Sequence, residues 1–317
     1  MLRTKEFVVM TQTTTHLIHP RREVTCCDVA KGQSLVATGT QDGKIFLWDS
    51  SEGVVLVVCE GGHDGQVNGV TFNEGGAGVA SCGEDGGLLL WDLRNISQGV
   101  TFRRLAGHDG AALLCCRFSP DATLMATGGR DHDIMVWGNL GRPVHGRLRA
   151  HSAWVSSVCF TADSRKLVSG GYDHLICVWS MENFACIKLI RYTRCPVLSV
   201  AVSVEGSVIA AGTDSGLVFL FRASDATCLR ILRGHDDDVT STSFVEESGI
   251  MFTSSRDSSV KAWDLTGRCL KSFKAHDGSV LSCATSKDFI VTTGIDFSAR
   301  IVAFGWIDAV LDDDDDY

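Results

Sequence analysis

The chain has 317 residues, of which 44% are hydrophobic, 33 are glycine and only 4 are proline. That apolar content excludes disorder for most of the length, and the formal charge of −9 is concentrated in the terminal run Asp312 to Asp316, which leaves the body close to neutral. A near-neutral body argues against a protein that coats DNA or RNA through a basic patch, and no apolar run reaches the ~18–20 residues of a membrane-spanning helix.

Taken in chain order, the sequence is a series of short apolar runs separated by glycine-rich turns. Val24–Val29 reads as a strand, followed by the hydroxyl of Thr38, a turn at Asp42 and Trp48. The second unit carries His63, Ser81, Asp85 and Trp91. The third has His108, the strand-like run Leu113–Phe118, then Thr127, Asp131 and Trp137. In the fourth, around His151, Ser169, Asp173 and Trp179, four strands can be read: His151–Phe160, Lys166–Gly170, Leu175–Trp179 and Phe184–Ile190. The third of these is almost continuously apolar, the mark of a strand buried on both faces. A fifth unit breaks every column, with Thr193, Ala211, Ser215 and Phe221. The sixth restores His235, Thr253, Asp257 and Trp263, and the seventh keeps His276, Thr292 and Asp296 but has Val302 in place of Trp.

The spacing is regular. Each Asp stands six residues before its Trp, four after its hydroxyl and 20 to 23 after its His, counting His19 for the first unit. Near the start of each unit a small residue recurs: Cys26, Gly69, Cys115, Ser157, Ser199, Ser241 and Ser282. Small residues in that column are what strands require when they crowd around a central axis.

On these residues the chain resembles the WD40-repeat family, through Gly62-His63, Gly107-His108, Ala150-His151, Gly234-His235 and Ala275-His276, with Trp48-Asp49, Trp91-Asp92 and Trp263-Asp264. Seven registered units at a ~40–45 residue period cover roughly residues 16 to 304. The resemblance implies an all-β, seven-bladed β-propeller spanning 1–305, with 306–317 as a disordered acidic tail. It also implies closure by an N-terminal strand, for which Glu6–Met10 to Thr15–Ile18 is the candidate, since closure removes exposed sheet edges.

His63, Ser81 and Asp85 mimic a hydrolytic triad, but a triad is assembled once and this set recurs with a Trp in unit after unit. The expected role is structural, a chain of hydrogen bonds bracing strands against a turn. The expectation covers the sets His63/Ser81/Asp85/Trp91, His108/Thr127/Asp131/Trp137, His151/Ser169/Asp173/Trp179 and His235/Thr253/Asp257/Trp263. Gly39–Lys44 is glycine-rich but lies between strands, whereas a phosphate-cradling loop needs a following helix. With the histidines absorbed by the repeat, no catalytic, metal or cofactor site is expected. The 13 cysteines include no CxxC pair and no secretory signal precedes them, so they read as packing residues in a reducing compartment, cytoplasmic or nuclear rather than secreted.

Recognition is expected where the repeat varies. The residues just before the turn Asp are Gln41, Glu84, Arg130, Tyr172, Asp214, Arg256 and Ile295, and all should fall on one rim, with Trp154 beside them. A position fixed by the scaffold yet chemically mixed suits binding of proteins or peptides, and Trp, Tyr and Arg dominate interface energetics. The expected function is therefore a non-enzymatic scaffold within a multiprotein assembly. The alternative rests on Trp91-Asp92-Leu93-Arg94, which looks like the WDxR box of cullin-4 ubiquitin-ligase substrate receptors and implies binding of the DDB adaptor. RNA binding on Arg130 and Arg256 is disfavoured by the charge balance, and the acidic tail would suit a basic partner.

Overall fold

Residue alternation and tight turns dictate antiparallel meanders of four strands, and the computed structural model, which describes residues 14–18, 22–138, 141–144, 146–246 and 248–305, contains seven antiparallel sheets, six of four strands and one of three. The inner strands are Val24–Val29, Val67–Phe72, Leu113–Phe118, Val155–Phe160, Val197–Val202, Val239–Phe244 and Val280–Thr285. Each packs against the next and the last against the first, so the blades close into a ring. Glu6–Met10 and the tail 306–317 lie outside the described residues. Thr14–Ile18 supplies the closing strand, pairing antiparallel with Ser298–Ala303 from Thr14 opposite Val302 to Ile18 opposite Ser298.

The hydrophobic core is divided among the blade junctions. Seven apolar clusters each draw on two neighbouring blades; one of them joins Ala126, Ile134 and Val136 of the third to Val155, Leu167 and Trp179 of the fourth. This is why the third strand of a blade, such as Ile176–Ser180, is apolar on both faces.

The small-residue column has a geometric cause that the sequence did not disclose. Every inner strand skips one residue against its neighbour, between Val24 and Cys26, Val67 and Gly69, Leu113 and Cys115, Val155 and Ser157, Val197 and Ser199, Val239 and Ser241, and Val280 and Ser282. Such bulges bend a strand and increase its twist. The skipped side chains of four blades stitch the ring together. Thr25, Asn68, Ser156 and Thr240 donate to the carbonyls of Val67, Leu113, Val197 and Val280 in the next blade, the second and fourth at 2.7 and 2.8 Å. The small residues line the central channel, which encloses about 170 Å³.

One expectation is corrected. Among the described residues the third blade has three regular strands, Leu113–Phe118, Leu124–Gly129 and Ile134–Gly138. Where the fourth should lie there are isolated bridges, Trp137 with Pro143 and Ile134 with Leu148. Pro143 has no N–H to donate, so the ladder cannot continue through it.

Candidate functional site

The bracing networks form as the spacing requires. In the second blade the Trp91 indole N–H donates to Ser81 Oγ at 2.8 Å, Ser81 Oγ lies 2.7 Å from His63 Nε2, and His63 Nδ1 lies 3.0 Å from Asp85. The ionised carboxylate can only accept, so a neutral imidazole donates to it from Nδ1 and accepts at Nε2, which orders the chain: indole to hydroxyl, hydroxyl to imidazole, imidazole to carboxylate. The third blade repeats this with Trp137 to Thr127 at 2.9 Å, His108 to Thr127 at 2.8 Å and His108 to Asp131 at 2.9 Å. The fourth uses Trp179, Ser169, His151 and Asp173 at 2.9, 2.8 and 3.0 Å, and the sixth Trp263, Thr253, His235 and Asp257 at 2.9, 2.8 and 2.7 Å. In the seventh, His276 bonds Thr292 and Asp296 without a Trp. Trp48 bonds Thr38 at 2.9 Å in the first, whose His19 lies outside the described residues. Ser81, Thr127, Ser169 and Thr253 are fully buried, so none presents a nucleophile to solvent.

Electrostatics match this bracing role. Burial pushes His63, His235 and His276 below the ordinary imidazole range despite their carboxylate partners. Burial would raise the Asp85 carboxyl, but the hydrogen bonds from His63 and the amides of Gly87 and Asp64 outweigh it and hold it at about 2. The native pair is neutral imidazole and ionised carboxylate. Both groups bind fewer protons folded than unfolded, so stability is full at neutral pH and falls with acid. We expect the melting temperature to drop first as pH falls below 6.5, the ordinary imidazole value, when the unfolded histidines charge, and again below 3.8, when the carboxylates protonate. A melting temperature unchanged between neutral pH and about pH 5 would contradict buried neutral imidazoles.

Among the described residues no group of three or more His, Cys, Asp or Glu side chains could hold a metal ion. All 13 cysteines are free thiols, and burial lifts those of Cys26 and Cys59 to about 12, where they behave as small apolar groups.

The rim positions are held by one repeated backbone bond. The amides of Gln41, Glu84, Arg130, Tyr172, Asp214, Arg256 and Ile295 donate to the carbonyls of Glu23, Gln66, Ala112, Trp154, Pro196, Asp238 and Ser279, at 2.9 to 3.3 Å. The second column, which enters the inner strands, is the part of the rim that sequence reasoning missed; it recognised only Trp154. Four of the expected residues meet. The Arg130 guanidinium stands 4.7 Å over the Trp154 ring, Trp154 meets Tyr172 edge-on at 5.2 Å, and Arg130 pairs with Glu84 at 2.6 Å. Trp154 and Tyr172 are each 39% exposed, an apolar surface held rigid by its neighbours. Gln41, Asp214 and Arg256 stand elsewhere on the ring, Arg256 paired with Asp238 at 3.3 Å. The carboxyl of Asp238 is raised by burial, and by Asp237 and Asp214, against the pull of Arg256.

A family model for the WD domain, G-beta repeat, matches residues 10–49, 54–92, 99–138, 141–180, 226–264 and 267–302. The chain belongs to the WD40-repeat family. The one stretch of a blade's length left unmatched falls on the fifth blade, which has lost His, hydroxyl, Asp and Trp together. Among curated relatives, the chain is 28% identical over 171 residues to Protein HIR1 of Kluyveromyces lactis, covering 45% of this chain and 20% of that protein. It is 27% identical over 139 residues to a guanine nucleotide-binding protein subunit beta-like protein of Encephalitozoon cuniculi, covering 41% and 40%. To the LST8 homolog of Drosophila melanogaster it is 30% identical over 107 residues, covering 32% and 33%. These matches span a fifth to two fifths of the relatives' own lengths. WD40 propellers are generally non-catalytic interaction scaffolds, and the matching family model indicates no enzyme family.

The WD40 repeat also places the Trp91–Arg94 box. It lies at the opposite end of the strand Leu88–Asp92 from the Asp85 turn, hence away from the rim. The Arg94 amide donates to Asp92 at 3.0 Å and its guanidinium folds back on the same carboxylate, which drops to about 2. This is the geometry of an ordinary Asx turn.

Proposed function

We propose that this WD40 propeller is a non-catalytic subunit that holds two or more proteins in one assembly, within a reducing intracellular compartment. The rim formed by the turn-preceding residues is its main docking face. The observation that carries this reading is the stack of Arg130 on Trp154 against Tyr172, half-exposed at positions whose backbone is fixed by the repeat. Rigid aromatic and Arg side chains anchor interfaces because little ordering cost remains when a partner arrives. Peptides or protein segments lying from the third to the sixth blade would engage Arg130, the aromatic pair and Arg256, with a basic partner as a separate occupant of the acidic tail.

The test is a double charge reversal, Arg130→Glu with Arg256→Glu. Both arginines are exposed and their ion pairs, one of them to the partly buried Asp238, are worth about 0–1 kcal/mol each, so the melting temperature should move by no more than about two to four degrees. Loss of two anchors should weaken the principal partner at least about thirtyfold. Affinity capture from cell extract followed by mass spectrometry, run beside Arg94→Ala, reads the outcome. A folded double mutant that keeps every partner removes the rim as the main interface. Partners lost only with Arg94→Ala would instead support the ligase-receptor reading.

A further inference from the structure

The loop Arg191-Tyr192-Thr193-Arg194, which enters the fifth blade, differs from its counterparts in both shape and charge. In five other blades the corresponding loop places a buried His and then Asp64, Asp109, Ser152, Asp236 or Asp277. The amides of Asp64, Ser152, Asp236 and Asp277 donate to the turn carboxylates Asp85, Asp173, Asp257 and Asp296. In the fifth blade the turn carries Ser215, and the residue after the His position is Arg194. This corner therefore lacks the turn carboxylate of its neighbours and gains a guanidinium, while Asp214 beside the turn keeps its carboxylate.

Tyr192 occupies the place of Gly62 and Gly107, where a Cβ would lie 2.6 Å from Cη2 of Trp91 or Trp137. With Phe221 in place of Trp, that space is open. The Tyr192 ring fills it, edge-on to Phe221 at 5.8 Å and to Phe219 at 5.9 Å, and still leaves the residue 50% exposed. Thr193 is buried and its hydroxyl donates to the His174 carbonyl at 2.6 Å, which pins the loop. Arg191 and Arg194 stand on the same loop, one before and one two residues after Tyr192; both are exposed, and neither side chain has a hydrogen bond or ion pair among the described residues. Arg104, Arg130, Arg147 and Arg256, by contrast, are all paired with carboxylates. The turn-preceding residue of this blade, Asp214, is at the rim, its amide on the Pro196 carbonyl.

We propose that this corner docks an extended acidic segment of a partner protein, with an apolar side chain on Tyr192 and carboxylates on Arg191 and Arg194. Two unpaired guanidinium groups match carboxylates in charge and can bind them bidentately, and the half-exposed Tyr192 ring on the same loop, seated against Phe219 and Phe221, gives the contact an apolar part. The corner lies on the fifth blade, outside the Arg130–Trp154–Tyr172 stack, and the rim double reversal distinguishes this assignment from the proposed rim contact.

The probe is a fluorescein-labelled peptide of alternating glutamate and serine with one central phenylalanine, titrated with the full chain and read by anisotropy. Saturable binding is expected, weakened at least about tenfold by Arg191→Glu with Arg194→Glu and severalfold by Tyr192→Ala. Tyr192→Phe should keep most of the affinity, which separates loss of the ring from loss of the fold. Binding should fall as salt rises from about 50 to about 300 mM, and a lysine-for-glutamate peptide should not bind. The rim double reversal should leave this affinity unchanged. No saturable binding by the wild type overturns the proposal, as does equal binding by the Arg191/Arg194 double variant. Stronger binding of a thymidine oligonucleotide, displaced by the same double variant, would overturn it in favour of a nucleic-acid site.

Discussion

Asp85→Ala is expected to lower the unfolding free energy by about 2–4 kcal/mol, whereas Ser215→Ala, at the equivalent turn of the fifth blade, should change it by about 0.5 kcal/mol or less. The difference follows from what each side chain holds. Asp85 accepts from His63 Nδ1 at 3.0 Å, from the amides of Asp64 and Gly87 at 3.1 and 3.0 Å, and from Arg104 at 2.9 Å. Its removal leaves a buried imidazole N–H with no acceptor and releases the loop that carries it. Among the described residues the Ser215 hydroxyl hydrogen-bonds Thr213 and Cys195. Chemical denaturation midpoints compared at constant slope read the two values. Equal shifts for the two substitutions would show that the His–hydroxyl–Asp chain does not brace its blade.

What could be read from the sequence is what a single blade determines by itself. Ser81 and Trp91 are ten residues apart because two antiparallel strands joined by a tight turn bring those positions together, with Ser81 opposite Leu89 and Val79 opposite Trp91. That relation is local, so it prints a fixed spacing. The column Gln41 to Ile295 was legible for the same reason. Features that depend on the packing of one blade against the next leave no such spacing. The stack of Arg130 on Trp154 joins the third blade to the fourth, and the bond from Thr25 to Val67 joins the first to the second. Neither pair belongs to one repeat. The missing fourth strand of the third blade was hidden differently, because Pro143 acts by withdrawing a donor rather than by changing the apolar pattern. Tyr192 was passed over because it answers an absence, the shorter side chain at Phe221, and a compensating residue has no motif of its own.

The last expectation concerns that compensation. Phe221→Trp alone should destabilise the chain by about 1–3 kcal/mol, although it restores the residue found in five other blades. The indole would extend into the space now held by the Tyr192 ring, 5.8 Å from the Phe221 ring. Its N–H would also face Ala211, which is buried and has no side-chain oxygen to accept it. Restoring the whole constellation reverses the sign. Tyr192→Gly clears the ring, Ala211→Ser supplies the acceptor, and Thr193→His with Ser215→Asp completes the chain to the turn. A polar network is stabilising when every member is satisfied and costly when one is not. The five substitutions together should therefore raise stability above the single Phe221→Trp variant by at least about 2 kcal/mol, a strong non-additivity among residues in contact. Denaturation of Phe221→Trp, of Phe221→Trp with Tyr192→Gly, and of the full set resolves the contributions. If the single variant is as stable as the wild type, Tyr192 is not filling the place of an indole. If the full set gains nothing over the single variant, the fifth blade is held by apolar packing that no hydrogen-bond chain can replace.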